Sequence, residues 1–231
     1  MEDENDRVYA ANVNALDNEI GRIIETIEAE GLLEETIILF FSDNGPLFDM
    51  SPIFKVMAPD LVDAKGSTAG LSGSKGSAME GGIRVPAVIW WKGIIENEKS
   101  DQFFFVQDVL PTLLTAANIK TSEADKFDGE DKWSNLLSGQ IVPPKNAFVG
   151  ARIMFDERAL FNDQWKLYSA KPVLAPVSPS YKLFNIIEDP FEQNDLAEEE
   201  PEIFKAMKKT ITSYVCLLYT SDAADDTPCV D

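Results

Sequence analysis

The chain has 231 residues, 45% of them apolar, with 20 Lys and Arg against 40 Asp and Glu and no histidine. That length suits one large domain or one and a half small ones. The formal charge of −20 argues against a nucleic-acid backbone or an anionic membrane surface as partner, because both rely on clustered cations. The missing histidines exclude a His-based zinc site or catalytic triad within these residues, so a bound metal would need oxygen ligands and would be a hard cation such as Ca²⁺ or Mg²⁺. No apolar run approaches the ~20 residues that span a bilayer, and the acidic start "MEDENDRVYA" has no signal-peptide core.

Residues 8–30 read as an amphipathic helix. Val8, Ala11, Leu16, Ile20, Ile23, Ile24 and Ile27 form the apolar stripe, and Gly31 stands at the C-cap position. "TIILFF" (36–41) is short, β-branched and unbroken by polar residues, the pattern of a strand buried on both faces, as in a parallel sheet. Residues 45–82 are rich in Gly and Ser without periodicity and read as a long surface loop. "VPAVIWW" (85–91) reads as a second buried strand, and "VQDVLPTLLTAANI" (106–119) as a helix with Pro111 near its start. Residues 120–145 read mostly as loop. "AFVGARI", "RALFNDQWKLYSA" and "YKLFNII" between 146 and 187 predict a small antiparallel sheet. "EDPFEQNDLA" is a turn-rich acidic link. Residues 199–214 read as a closing helix with Ile203, Phe204, Met207 and Ile211 inward.

The tail "CLLYTSDAADDTPCVD" (216–231) breaks the preceding pattern and holds both cysteines, Cys216 and Cys229. It resembles a translated sequencing adapter and is set aside from fold reasoning. Without its four Asp the charge moves from −20 to −16. No cysteine then remains from which to infer a redox compartment.

Two stretches offer chemistry. In open α/β sheets ligands bind beyond the carboxyl ends of strands. Asp43 and Asn44 follow "TIILFF" there and offer oxygens to a hard cation, although Asp-Asn-Gly is equally a turn sequence. In "LSGSKGSAMEGGIRVP" (71–86), Lys75 lies between Gly73 and Gly76, where backbone can approach an oxyanion closely. An ordinary surface lysine in a solvated loop fits the same residues. Glu80 is a candidate partner for Arg84.

Five pieces taken in order resemble one family. "YAANVNALDNEIGRIIETIEAEGLLEETIILFFSDNG" (9–45) is similar to the sulfatase segment that ends in its SDNG motif. "GSKGSAMEGGIRVPAVIWWKG" (73–93) resembles that family's lysine loop and EGG-x-R-x-P run. "QDVLPTLLTAANI" (107–119) resembles its DxxPT helix, and "ALFNDQWKLY" and "YKLFNIIEDPFEQNDLA" its C-terminal pieces. The flavour is that of arylsulfatase B-like members.

The resemblance implies an α/β fold, the C-terminal part of an alkaline-phosphatase-like sandwich (1–145). A small α+β subdomain with a short antiparallel sheet and closing helix (146–215) would follow. It implies sulfate-ester hydrolysis on carbohydrate or aryl sulfates, with Asp43 and Asn44 as Ca²⁺ ligands and Lys75 as the lysine that contacts sulfate. Glu80, Gly81, Gly82 and Arg84 would shape the loop. The family nucleophile is a formylglycine made in a C/S-x-P-x-R motif; no such motif occurs in this sequence. The expectation is therefore a fragment, inactive alone and poorly soluble, of a protein exported or lysosomal by family habit. A phosphate or phosphonate monoesterase of the same superfamily is the nearest rival. A non-catalytic binding protein is the rival from another class.

Overall fold

A computed structural model describes residues 4–47, 66–95, 98–122, 126–152 and 155–222. The chain divides into two compact units, Met1–Lys75 with Gly81–Val142, and Gly76–Glu80 with Pro143–Asp231.

The first unit opens with helix α1 (Glu4–Ala29). It ends as the sequence predicts: Gly31 has φ +70°, its N–H donates to Glu28 O, and the Leu32 N–H donates to Ile27 O. These two bonds satisfy carbonyls that a helix end otherwise leaves open. Strand β1 (Ile38–Phe41) follows, then a single helical turn, α2 (Glu80–Ile83), and strand β2 (Ala87–Trp90). Helix α3 (Val109–Ala116) is entered through a 3₁₀ turn at Val106–Asp108. The short helix α4 (Trp133–Ser138) lies within the stretch expected as loop. Of the predicted loop 45–82, residues 48–65 lie outside the described residues.

The structure corrects the reading of "TIILFF" as a strand buried on both faces in a parallel sheet, and of "VPAVIWW" as a second buried strand. β1 and β2 pair antiparallel, Ile38 with Trp90 through Phe41 with Ala87, and Phe40, Phe41 and Val88 are exposed. A two-stranded sheet gives each strand only one neighbour, so an apolar run keeps its faces open unless another layer covers it. The α1 stripe behaves likewise, with Val8, Leu16 and Ile23 exposed.

The DxxPT helix is fixed by its own motif. Asp108 is buried; its carboxylate accepts the N–H of Phe105 at 2.9 Å and of Glu130 at 2.8 Å. Thr112 Oγ1 accepts the Lys132 N–H at 3.0 Å. Burial pushes the Asp108 carboxyl above its ordinary range, against the pull of those two amides and of Lys132.

In the second unit β3 (Ala147–Arg152), β4 (Phe155–Asn162), β5 (Trp165–Pro172) and β6 (Ser180–Asn185) form one antiparallel meander. The predicted piece 158–170 is a hairpin, turning at Asp163, which has φ +57°. The closing helix α5 (Pro201–Asp222) runs past its predicted end at 214, since residues 215–222 hold no Gly or Pro to stop it. The backbone of 216–222 is helical, and 223–231 lie outside the described residues.

Strand alternation splits the side chains of this sheet between two faces. Leu160, Leu167 and Leu183 form one core with Met207 and Ile211 of α5, and Ile203 and Phe204 pack against it, as the helix period predicts. Tyr214 stacks on Phe148 with centroids 3.6 Å apart. The register Phe161–Lys166–Phe184 and Ala159–Tyr168 defines the opposite face, and there Lys166 is fully buried.

Candidate active site

The antiparallel register brings the two candidate stretches together. β1 ends at Phe41, opposite Ala87, so the residues leaving β1 run beside those entering β2. The Ser42 N–H donates to Pro86 O at 3.3 Å, and the Gly45 N–H to Gly82 O at 2.8 Å. The Lys75 N–H donates to Pro46 O at 2.9 Å, and the Gly81 N–H to Ser72 O at 2.6 Å. S-D-N-G and the lysine loop are thus tied backbone to backbone.

Glycine is required where these strands of loop touch. A Cβ on Gly45 would stand 1.9 Å from Gly81 O. A Cβ on Gly81 would stand 2.5–2.9 Å from the carbonyl oxygens of Gly73, Ser72 and Leu71. No side chain fits either place without moving backbone.

Asp43 is exposed and Asn44 half-buried. The turn reading has a bond behind it: Asp43 Oδ1 accepts the Asn44 N–H of the next residue at 3.0 Å, which helps to hold the bend. Ser42 Oγ donates to Asn44 O at 3.0 Å, and Asn44 Nδ2 donates to Gly45 O at 3.1 Å. With its amide nitrogen committed to Gly45, Asn44 has its side-chain oxygen as the remaining acceptor. A carboxylate and an amide oxygen fit a hard cation in kind. They fall short in number, because Ca²⁺ takes about 6–8 oxygens and no group of three or more His, Cys, Asp or Glu gathers among the described residues. Lys75 is exposed, which fits an ordinary lysine in a solvated loop and an anion contact alike.

Sequence reasoning misses what holds residues 76–80. Lys166 Nζ lies 2.9 Å from Glu80 Oε1 and 2.8 Å from Glu192 Oε1. The second is an ion pair rather than an aligned hydrogen bond. The Glu80 N–H donates to Glu192 Oε2 at 2.7 Å. Glu157 Oε2 accepts from Ser77 Oγ at 2.6 Å and from the Ala78 N–H at 2.9 Å. Burial raises the Glu192 carboxyl above its ordinary range, opposed by Lys166. Burial, then the neighbouring Glu157 carboxylate, raises the Tyr168 phenol. These partners lie about 80 to 110 residues apart in the chain, and no local pattern announces them.

The sulfatase family profile matches residues 2–119. The chain is 30% identical over 233 residues to an uncharacterized sulfatase of Schizosaccharomyces pombe, covering 87% of this chain and 41% of that protein. It is 24% identical to the N-acetylgalactosamine-6-O-sulfatase of Bacteroides thetaiotaomicron, covering 86% and 40%. The crystal structure of Ps i-CgsB in complex with k-i-k-neocarrahexaose superposes with a TM-score of 0.72 at 23% identity, over 93% of this chain and 44% of that one. This chain belongs to the sulfatase family, and its fold is the α/β, alkaline-phosphatase-like fold of the solved sulfatases. It spans about two fifths of the length of the curated relatives it matches. Among the described residues no helix is long and apolar enough to cross a membrane.

Proposed function

We propose that these residues are the C-terminal part of a sulfuric ester hydrolase, exported or lysosomal, acting on a sulfated carbohydrate or aryl sulfate. The observation that carries this is the pair of backbone bonds, Gly45 to Gly82 and Lys75 to Pro46, which seats Asp43, Asn44 and Lys75 on one loop cluster beyond the carboxyl end of β1. In this reading residues 1–145 belong to the catalytic domain, 146–215 form a smaller C-terminal subdomain, and 216–231 are foreign to both.

Asp43 and Asn44 would hold Ca²⁺ together with ligands from outside this sequence. A bound cation there supplies Lewis-acid polarisation of the sulfuryl oxygens. Lys75 contributes a fixed positive charge against the oxygens of the bound ester, the kind of preorganised electrostatics that is worth most where water is excluded. Its neighbours Gly73 and Gly76, at φ +78° and +87°, turn the backbone closely around that charge. The nucleophile, a formylglycine by family resemblance, comes from residues outside this sequence, so the 231-residue chain alone is inactive.

The test is the full-length protein assayed on aryl sulfate and aryl phosphate. The expected result is sulfate cleavage, lost on chelation and restored by Ca²⁺, with Lys75→Ala lowering kcat about 10²–10³-fold. Preference for aryl phosphate would move the assignment to the phosphomonoesterase reading. No hydrolysis of either ester would favour a binding protein.

A further inference from the structure

Glu80, Glu157, Glu192 and Lys166, which meet around residues 76–80, have no part in the reaction proposed above. Their energetics are unusual. Lys166 is fully buried, and Glu80 and Glu192 are nearly so. Taking such charges out of water is costly, and apolar replacements of similar volume are often as stable. Stability alone therefore gives little reason for a Lys with two Glu in this position.

What the cluster supplies is direction. Glu192 accepts the Glu80 N–H with one oxygen while its other oxygen faces Lys166. It is aimed there by strained backbone: its φ is +55°, a conformation that a residue with a Cβ rarely adopts. Asp189 Oδ2 holds the turn by accepting the N–H of Gln193 and of Asn194, both at 2.8 Å. Glu157 grips the other end of the segment at Ser77 and Ala78, and Ser77 Oγ also accepts the Met79 N–H at 3.1 Å. Three consecutive amides, Ala78, Met79 and Glu80, thus end on side chains, which fixes the path of a stretch that has no strand neighbour. Lys75 directly precedes this segment, and Gly81 directly follows it.

We infer that Lys166, acting through Glu80 and Glu192, is a positioning residue for the lysine loop, with Glu157 as the second grip, and that this buried cluster sets where Lys75 stands. The consequence for turnover rests on the sulfatase reading; the consequence for loop order does not.

Amide hydrogen exchange on the 231-residue chain tests it. In Lys166→Met, the amides of Lys75, Ala78, Glu80 and Gly81 exchange at least tenfold faster, while those of Leu167 and Leu183 in the core keep their protection. Unchanged Lys75 and Gly81 amides in that variant overturn the proposal, because the cluster would then order only its own segment. Should loop and core lose protection together, Ser77→Ala decides, since it removes one hydroxyl and no charge. Faster exchange at Lys75 and Gly81 then sustains the proposal, and unchanged exchange there overturns it. In the full-length enzyme Ser77→Ala lowers kcat with KM held. Loop exchange as expected in a full-length protein without sulfatase activity would defeat the functional reading and leave the positioning role standing.

Discussion

In the second unit Leu160, Leu167 and Leu183 are fully buried, on strands that α5 packs against. In the first, Phe40 and Phe41 remain 40% exposed and Val88 59%, on a sheet of two strands. Both stretches are apolar enough for a core. The second unit has a four-stranded sheet with a helix to cover one face, whereas β1 and β2 offer two strands. An isolated hairpin is at best marginal in water, and three or more strands with a covered face make the difference. Apolar pattern states what a segment would bury; only a neighbouring layer decides whether it does.

The sharpest way to break this comparison is a matched pair of truncations. Leu160→Ala empties a fully buried site and costs about 2–5 kcal/mol. Val88→Ala, on the open sheet, stays within about 0.5 kcal/mol. Urea denaturation followed by exchange of the β5 amides measures the first, and of the β1 amides the second. Equal costs would mean that Val88 is covered in solution.

Gly81→Ala comes next in size. Its Cβ would press on three carbonyl oxygens at 2.5–2.9 Å, and overpacking of this kind costs about 1–3 kcal/mol. The expected damage is local: faster exchange at Gly45 and Lys75, with the Leu160–Leu183 core unchanged. A core that loosens equally would show that the loop and the core do not unfold independently.

A smaller effect concerns association rather than folding. Among the described residues β1 and β2 each have an unpaired outer edge and exposed aromatic or β-branched residues, a combination that invites pairing between chains. Phe40→Ser with Val88→Thr is expected to reduce light scattering of the concentrated chain and to lower binding of an apolar dye. A wild-type chain that is already monodisperse would contradict the premise.

The helices and the antiparallel meander were legible because their signals are local. Ile203, Phe204, Met207 and Ile211 recur at the helical period, and Gly31 marks the end of α1. Asp43, Asn44 and Lys75 stand out in the sequence as candidates, though each alone also fits a turn or a solvated loop; the Gly45–Gly82 and Lys75–Pro46 backbone bonds are what bring the two stretches together. Lys166 and Glu192 were not legible. A lysine inside "DQWKLY" reads as the polar partner of an alternating strand. Its burial depends on Glu80, far away in sequence, meeting the same face of the sheet. Likewise "TIILFF" correctly signals a strand, but neither its direction of pairing nor its cover can be read from its own residues.

The finest effect is a pH dependence, carried by Asp108 in the first unit and Glu192 in the second. Asp108 and Glu192 both have carboxyls raised chiefly by burial. An acid whose pKa is higher folded than unfolded binds its proton more tightly in the folded state, so stability falls as pH rises across that interval. The contribution is fully present below the ordinary carboxylate range and is lost as pH climbs through the raised value. Glu192→Gln resembles the protonated form at every pH. Wild type and variant should therefore match most closely in acid, and the variant should gain on wild type as pH rises through the Glu192 pKa. Chemical denaturation of both chains across that range, with the Glu192 carboxyl shift followed by carbon NMR, reads the effect directly. A variant that instead loses ground as pH rises would mean that the ion pair with Lys166 outweighs the burial of the carboxylate, and that Glu192 titrates below its ordinary range.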